Sequence, residues 1–186
     1  MFIKYLNFFI LTIIILCFFA NIIYFSIQNI NNIPKLNNNS NFFWPTPEYH
    51  MITSYFGTRI SPITGKFSTH TGIDIGAAEG SSIYSVQSGL VTFIGFDGAN
   101  GYSIHIQNDN YIFIYGHVSP NFIVSKNQYI NIGEIIGNIG PKYVAPSSYN
   151  NYKDNTGKTT NGSTTGPHLH LTIKKDGIAV NPLDLL

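Results

Sequence analysis

The sequence predicts an all-β domain, a sandwich or open barrel, preceded by one N-terminal transmembrane helix. Three observations carry that expectation. From about Trp44 onward the chain runs in short alternating stretches punctuated by glycine. No amphipathic helical period interrupts them. Ahead of them, Tyr5 to Phe25 contains no charged residue at all.

The first element is that apolar run. Asn7, Thr12 and Asn21 are its only strongly polar side chains, and its length matches the ~20 residues a helix needs to span a bilayer. A cleavable signal needs an apolar region of only ~7–15 residues, so residues 5–25 read as an anchor or uncleaved signal. Lys4 lies before the run and the next charge is Lys35, which orients everything after Phe25 to the extracytoplasmic side. Cys17 is the single cysteine and sits inside the run. Neither a disulfide nor a thiolate cluster can therefore form within the chain.

The second element is a spacer over residues 26–46. Seven of the sixteen residues from Ser26 to Asn41 are Asn, with Pro34 among them and no apolar period. The folded domain is then expected over residues 47–186. Its strand candidates are Leu90 to Phe96, Tyr102 to Gln107, Tyr111 to Val118 and His168 to Ile173. Seventeen glycines, twelve tyrosines and fourteen phenylalanines agree with many strands joined by tight turns. Pro141 to Thr164 breaks the pattern as a 24-residue polar stretch, either a loop flanking a substrate or a disordered insertion.

Charge and missing motifs remove several functions. Ten Lys+Arg against nine Asp+Glu give a formal net charge of +1, too even to form a phosphate-neutralising stripe, so no nucleic-acid partner is expected. No His-Glu-x-x-His and no Gly-x-Ser-x-Gly occurs, and Gly157-Lys158-Thr159 lacks the upstream glycine of a phosphate loop.

The histidines remain. In His70-Thr71-Gly72-Ile73-Asp74, residues four apart on a straight strand lie ~13 Å from each other, too far for one ion held by bonds of ~2.0–2.2 Å. A bend at Gly72 would let His70 leave a loop while Asp74 begins a strand. His168-Leu169-His170 projects two imidazoles from one strand face, where one can bind a metal and the other address a water or substrate beside it. His117 closes a run in which Tyr111, Phe113 and Tyr115 share its face, and it stands at a strand end. His50 and His105 have no ligand-like partner at an informative spacing.

The ordered set His-x-x-x-Asp, Tyr-x-His and Gly-Pro-His-Leu-His resembles the lysostaphin-type zinc metallopeptidases of the M23 family, also called the LytM family. The resemblance runs from about Tyr55 to Leu186 and includes Phe56-Gly57-Thr58-Arg59, Pro62-x-Thr64-Gly65, Gly133-Glu134-x-Ile136-Gly137 and Thr165-Gly166-Pro167-His168. It implies an antiparallel β-sheet core with a loop-walled groove. It implies Zn2+ bound by His70, Asp74 and His170, with His117 and His168 as the catalytic histidines. It further implies an endopeptidase acting on the stem peptides or cross-links of peptidoglycan, tethered here to the membrane with its catalytic domain on the periplasmic or cell-wall side. The long 141–164 segment departs from the family pattern. Some relatives have lost ligands and instead regulate cell-wall amidases through a protein partner; that alternative predicts a missing ligand or catalytic histidine, and this chain lacks none of the five.

Overall fold

The computed structural model describes Phe19, Asn21 and residues 42–61 and 65–186. The chain divides into two units, Met1–Ser40 and Asn41–Leu186. In the first, the two described residues are helical and exposed. Among the described residues no helix is long and apolar enough to cross a membrane. The expected span over residues 5–25 falls, apart from those two positions, outside the described residues, as do residues 26–41 of the expected spacer.

The second unit is built of twelve strands: β1 (Ile52–Ser54), β2 (Gly57–Ile60), β3 (Phe67–His70), β4 (Ile73–Gly76), β5 (Ser82–Tyr84), β6 (Gly89–Phe96), β7 (Tyr102–Asn108), β8 (Tyr111–Gly116), β9 (Tyr129–Ile130), β10 (Ile135–Asn138), β11 (His168–Lys175) and β12 (Ile178–Val180). Eight of them form one sheet in the order β1-β4-β11-β8-β7-β6-β9, with β12 also pairing β11. Two ribbons, β10-β5 and β2-β3, complete the described strands, and every pairing is antiparallel. The expectation of a sandwich or open barrel thus becomes one large antiparallel sheet with two two-stranded ribbons.

Alternation along the central strands decides which face is apolar. Leu169, Leu171 and Ile173 of β11, Phe113 and Tyr115 of β8, and Ile104 and Ile106 of β7 are all fully buried in one cluster, joined by Ile83 of β5 and Ile136 of β10. The residues between them, His168, His170 and Thr172 on β11, therefore face the other way. Tyr115 keeps its phenol satisfied inside this core by accepting from the Val86 backbone N–H at 2.8 Å. Apolar packing thus leaves the opposite face of the same strands free for polar chemistry.

Two boundaries shift from expectation. Residues 42–46, assigned above to the spacer, belong to the folded unit. The Phe42 ring lies 6.0 Å from both Tyr111 and Phe113, the Phe43 N–H donates to Val86 O at 2.8 Å, and Trp44 Nε1 donates to Tyr49 O at 2.8 Å. Phe42 and Trp44 pack against the domain's apolar core. The 141–164 segment is an ordered excursion, crossed by bridges between Tyr143 and Thr160 and between Lys153 and Thr159. Asp154 organises its tip by accepting from the Thr156 N–H, the Thr156 hydroxyl and the Lys158 N–H at 2.9, 2.7 and 3.1 Å.

Candidate metal centre and catalytic groove

Register brings the five sequence-selected residues together. Asp74 on β4 stands directly opposite His170 on β11, and His170 stands opposite Gly116 at the end of β8. His70 ends β3, and only Thr71 and Gly72 separate it from β4. The expected bend exists, but His70 finishes a strand rather than leaving a loop. Gly72 serves close packing there: a Cβ on it would collide with the Leu171 carbonyl of β11, so any larger residue would push β4 away from its partner strand.

His117 corrects a second expectation. Continued alternation would have put it with Tyr115 on the core face, yet its ring lies 4.6 Å from His168 and 6.0 Å from His170, on the opposite face. Strand β8 ends at Gly116, and His117 adopts a left-handed φ of 58°. That conformation is uncommon for a non-glycine residue. It is stabilised by the His117 N–H, which donates to Asn100 O at 2.7 Å.

His70 Nε2, His170 Nδ1 and Asp74 Oδ1 form a triangle with sides of 3.1, 3.2 and 2.8 Å. A tetrahedral ion with ~2.0–2.2 Å bonds needs ligand–ligand edges of ~3.3–3.6 Å, a few tenths wider than this triangle. The outer nitrogens hold the rings in place. His70 Nδ1 donates to Tyr55 O at 2.9 Å, and His170 Nε2 pairs with the Thr172 hydroxyl at 3.0 Å. Each ring can thereby turn its other nitrogen inward as a neutral ligand. The donor set and its support fit a metal ion such as Zn2+.

Electrostatics agree with that use. Burial alone would raise the Asp74 carboxyl, but hydrogen bonds from His168, His170 and His70 outweigh it and hold the group well below the usual carboxylate range. Burial lowers His170 despite its bond to Asp74. His117 is pushed down to about 3, by burial first and then by His168 and His170, against the raising effect of the Asn161 carbonyl. The Asp74 carboxylate thus faces a His170 ring that burial keeps toward its neutral form, the protonation states metal ligands require. Arg59 adds a cation 3.7 Å from Asp74 Oδ2 and is itself steadied by a 2.7 Å bond to the Ser54 hydroxyl.

His117 and His168 share a second feature. His117 Nδ1 lies 2.7 Å from Asn161 O and His168 Nδ1 lies 2.8 Å from Gly166 O, so each Nδ1–H is taken by a carbonyl and each Nε2 is left for other partners, that of His168 lying 3.5 Å from Asp74 Oδ1. A cavity of about 360 Å³ lies over them, lined also by Arg59, Asn100, Ser163 and Thr165. Sequence reasoning missed Asn161, Asn100 and Tyr55. They act through backbone carbonyls, which leave no side-chain signature. His50 stacks on Trp44 at 5.3 Å, away from the triad, whereas His105 has an acidic neighbour after all, with Nε2 3.2 Å from Asp97 Oδ2.

Comparison with known proteins adds a finding of a different kind. The model of peptidase family M23 matches residues 68–182. Over 138 residues the chain is 31% identical to the DD-carboxypeptidase/endopeptidase Mpg of Neisseria meningitidis, covering 74% of this chain and 27% of that protein. It is 28% identical to the peptidoglycan DD-endopeptidase ShyC of Vibrio cholerae, covering 73% and 27% respectively. A zinc-containing peptidase from Vibrio cholerae superposes with a TM-score of 0.58 at 25% identity, over 76% of this chain and 39% of that one. The chain therefore spans about a quarter of the length of the curated relatives it matches.

Proposed function

Because the chain belongs to peptidase family M23, we propose that it is a zinc-dependent endopeptidase hydrolysing peptide bonds in peptidoglycan stem peptides or cross-links. The observation that carries the reading is the meeting of two groups on one polar sheet face. His70, Asp74 and His170 lie within ligand distance of one another, and the His117 and His168 rings stand 4.6 Å apart beside them. Three protein ligands leave a tetrahedral position open, as catalytic rather than structural sites do.

In this reading His70 Nε2, Asp74 Oδ1 and His170 Nδ1 hold the ion. Bound zinc would supply Lewis acidity, bringing a water's pKa to ~7 and polarising a carbonyl. The chain's own contribution is proton handling. Amide hydrolysis adds water across the C–N bond, so one proton must leave the water and one must reach the departing nitrogen. His117, kept neutral by burial, and His168 beside it line the groove and can accept the first and deliver the second. Their Nδ1–H groups stay bound to Asn161 O and Gly166 O throughout, which fixes the tautomer. Once a ring has taken the water's proton, its Nε2–H would also stabilise negative charge developing on the carbonyl oxygen.

The uncharged run from Tyr5 to Phe25 supports the further proposal that this domain is held at the membrane on the extracytoplasmic side, where the polymer lies. The test is release of new amino groups from purified peptidoglycan by the zinc-loaded full chain. His117→Ala, His168→Ala and chelator-treated samples run alongside. Cleavage lost in all three supports the reading, and a folded, zinc-loaded protein that releases nothing sinks it.

A further inference from the structure

The groove continues past the histidines. Thr71 and Asn100 line both the catalytic cavity and a second one of about 410 Å³ over the same sheet face. Strand register builds its floor. His105 on β7 stands across from Ile114 on β8, which stands across from Thr172 on β11, and Ile112 and Lys174 form the next row. Lys174 is four residues beyond His170 on one strand, hence about 13 Å from it along the groove.

Opposite charges flank this floor. Asp97, immediately after β6, has a side chain 40% exposed and accepts from Asn100 Nδ2 at 2.8 Å. His105 Nε2 is 3.2 Å from Asp97 Oδ2 but off the line of a hydrogen bond, which leaves a buried ring nitrogen without a proper partner. Lys174 is half-buried and has no ion-pair partner among the described residues. Burial keeps His105 toward its neutral form. The cavity therefore presents one anion and one cation across an apolar floor of Ile112 and Ile114.

We propose that this cavity is a subsite for a zwitterionic amino-acid end group carried on an alkyl arm, its ammonium toward Asp97 and its carboxylate toward Lys174. The arm would cross Ile112 and Ile114. A lone anion would meet Asp97 unfavourably and a lone cation would meet Lys174, whereas a zwitterion satisfies both. The inference rests on the groove being a peptide-binding one: a peptide end some four residues from the scissile bond covers the ~13 Å.

Binding can be read without hydrolysis. The full chain, labelled at its histidine rings, is titrated with Nε-acetyllysine, which offers a free α-ammonium and α-carboxylate at the end of an acylated arm. N-acetylcadaverine and 6-acetamidohexanoate serve as single-charge probes at opposite ends of the comparison. Nε-acetyllysine should shift the His105 ring signals saturably. Lys174→Met and Asp97→Asn should each weaken that binding by at least about tenfold, as loss of a charge-assisted hydrogen bond does. The single-charge probes should bind weakly in the same proportion. An absent shift at His105, an affinity unchanged in both variants, or equal binding by a single-charge probe overturns the proposal. Because no bond is cleaved in the assay, a failure here is distinct from a failure of the peptidase reading.

Discussion

The Asn161 carbonyl accepts the His117 Nδ1–H at 2.7 Å, and the Asn161 side chain locks that carbonyl in place. Its Oδ1 accepts from the Tyr102 N–H at 2.8 Å and its Nδ2 donates to Val118 O at 3.0 Å, all in a fully buried position. Because Tyr102 begins β7 and Val118 follows His117, one side chain ties the end of the long 141–164 segment to two strands around the site. The segment behaves as a strut for His117.

Asn161→Ala should therefore impair catalysis through His117. Two buried backbone groups lose partners, at a cost of ~1–3 kcal/mol each. Displacing the imidazole by about an ångström should lower kcat by up to about a hundredfold while KM changes little. Asn161→Asp keeps the acceptor for Tyr102 and should recover part of the loss. The ring nitrogen shifts of His117 report the tautomer directly; an unchanged tautomer with unchanged kcat in Asn161→Ala would remove this role.

The site's side chains were legible because each sits in a local pattern. His168 and His170 alternate with the core residue Leu169, and Asp74 follows Gly72 across a tight link. His117 was legible as a strand-end residue but not by face, since its side depends on a φ of 58° that periodicity does not encode. Asn161 was hidden because its contribution is a carbonyl carried near the end of a 24-residue polar excursion. Phe42 to Thr46 were hidden for another reason: their aromatic side chains follow directly on an asparagine-rich stretch, and only tertiary contacts with Tyr111 and Phe113 separate the two. The sheet itself was readable as strands, but its order, with β11 inserted between β4 and β8, comes from pairings of high sequence separation.

Gly72→Ala should be destabilising although alanine is the smallest change available. Its Cβ would overlap the Leu171 carbonyl and lie 2.8 Å from Thr172 Oγ1, so β4 and β11 must part. Overpacking of this kind costs ~1–3 kcal/mol. Since Asp74 and His170 sit on those two strands, zinc affinity should fall as well. Gly166→Ala, where an added Cβ meets nothing within 4 Å, is the control and should leave stability within ~0.5 kcal/mol. Equal melting temperatures for the two variants would contradict the packing argument.

The metal-free protein should lose stability as pH falls from about 6.5. His117 takes a proton near 6.5 in the unfolded chain but only near about 3 in the folded one, because burial disfavours its charged form. Below 6.5 the unfolded state therefore binds more protons, and stability drops by up to ~1.4 kcal/mol per pH unit for this group until about 3. His105 and His170, also lowered by burial, act in the same sense. Asp74, held below the usual range, contributes stability above ~3.9 that is lost at still lower pH. Urea midpoints of chelated protein between pH 4.5 and 7.5 should fall with pH, less steeply in His117→Gln; a slope unaltered by that substitution would rule His117 out as a source.

Metal retention separates the two classes of histidine. His70 Nε2 and His170 Nδ1 lie 3.2 and 2.8 Å from Asp74 Oδ1, whereas the His117 ring stands 6.0 Å from that of His170. Removing a ligand leaves two, too few for the tetrahedral site, so His70→Ala, Asp74→Asn and His170→Ala should each lose zinc on dialysis. His117→Ala should keep it and lose activity by about 10²–10⁴-fold, the scale of a missing acid–base group. His168 is the sharper test, because its Nε2 approaches Asp74 Oδ1 to 3.5 Å and could be taken for a fourth ligand. Its backbone is held by the β11 pairing opposite Gly76, and its Nδ1 is fixed on Gly166 O, so its ring is set beside the triangle rather than in it. Zinc bound with wild-type affinity by His168→Ala places this residue among the proton-handling groups, and zinc lost from it would make the centre a closed four-ligand site without an open position for chemistry.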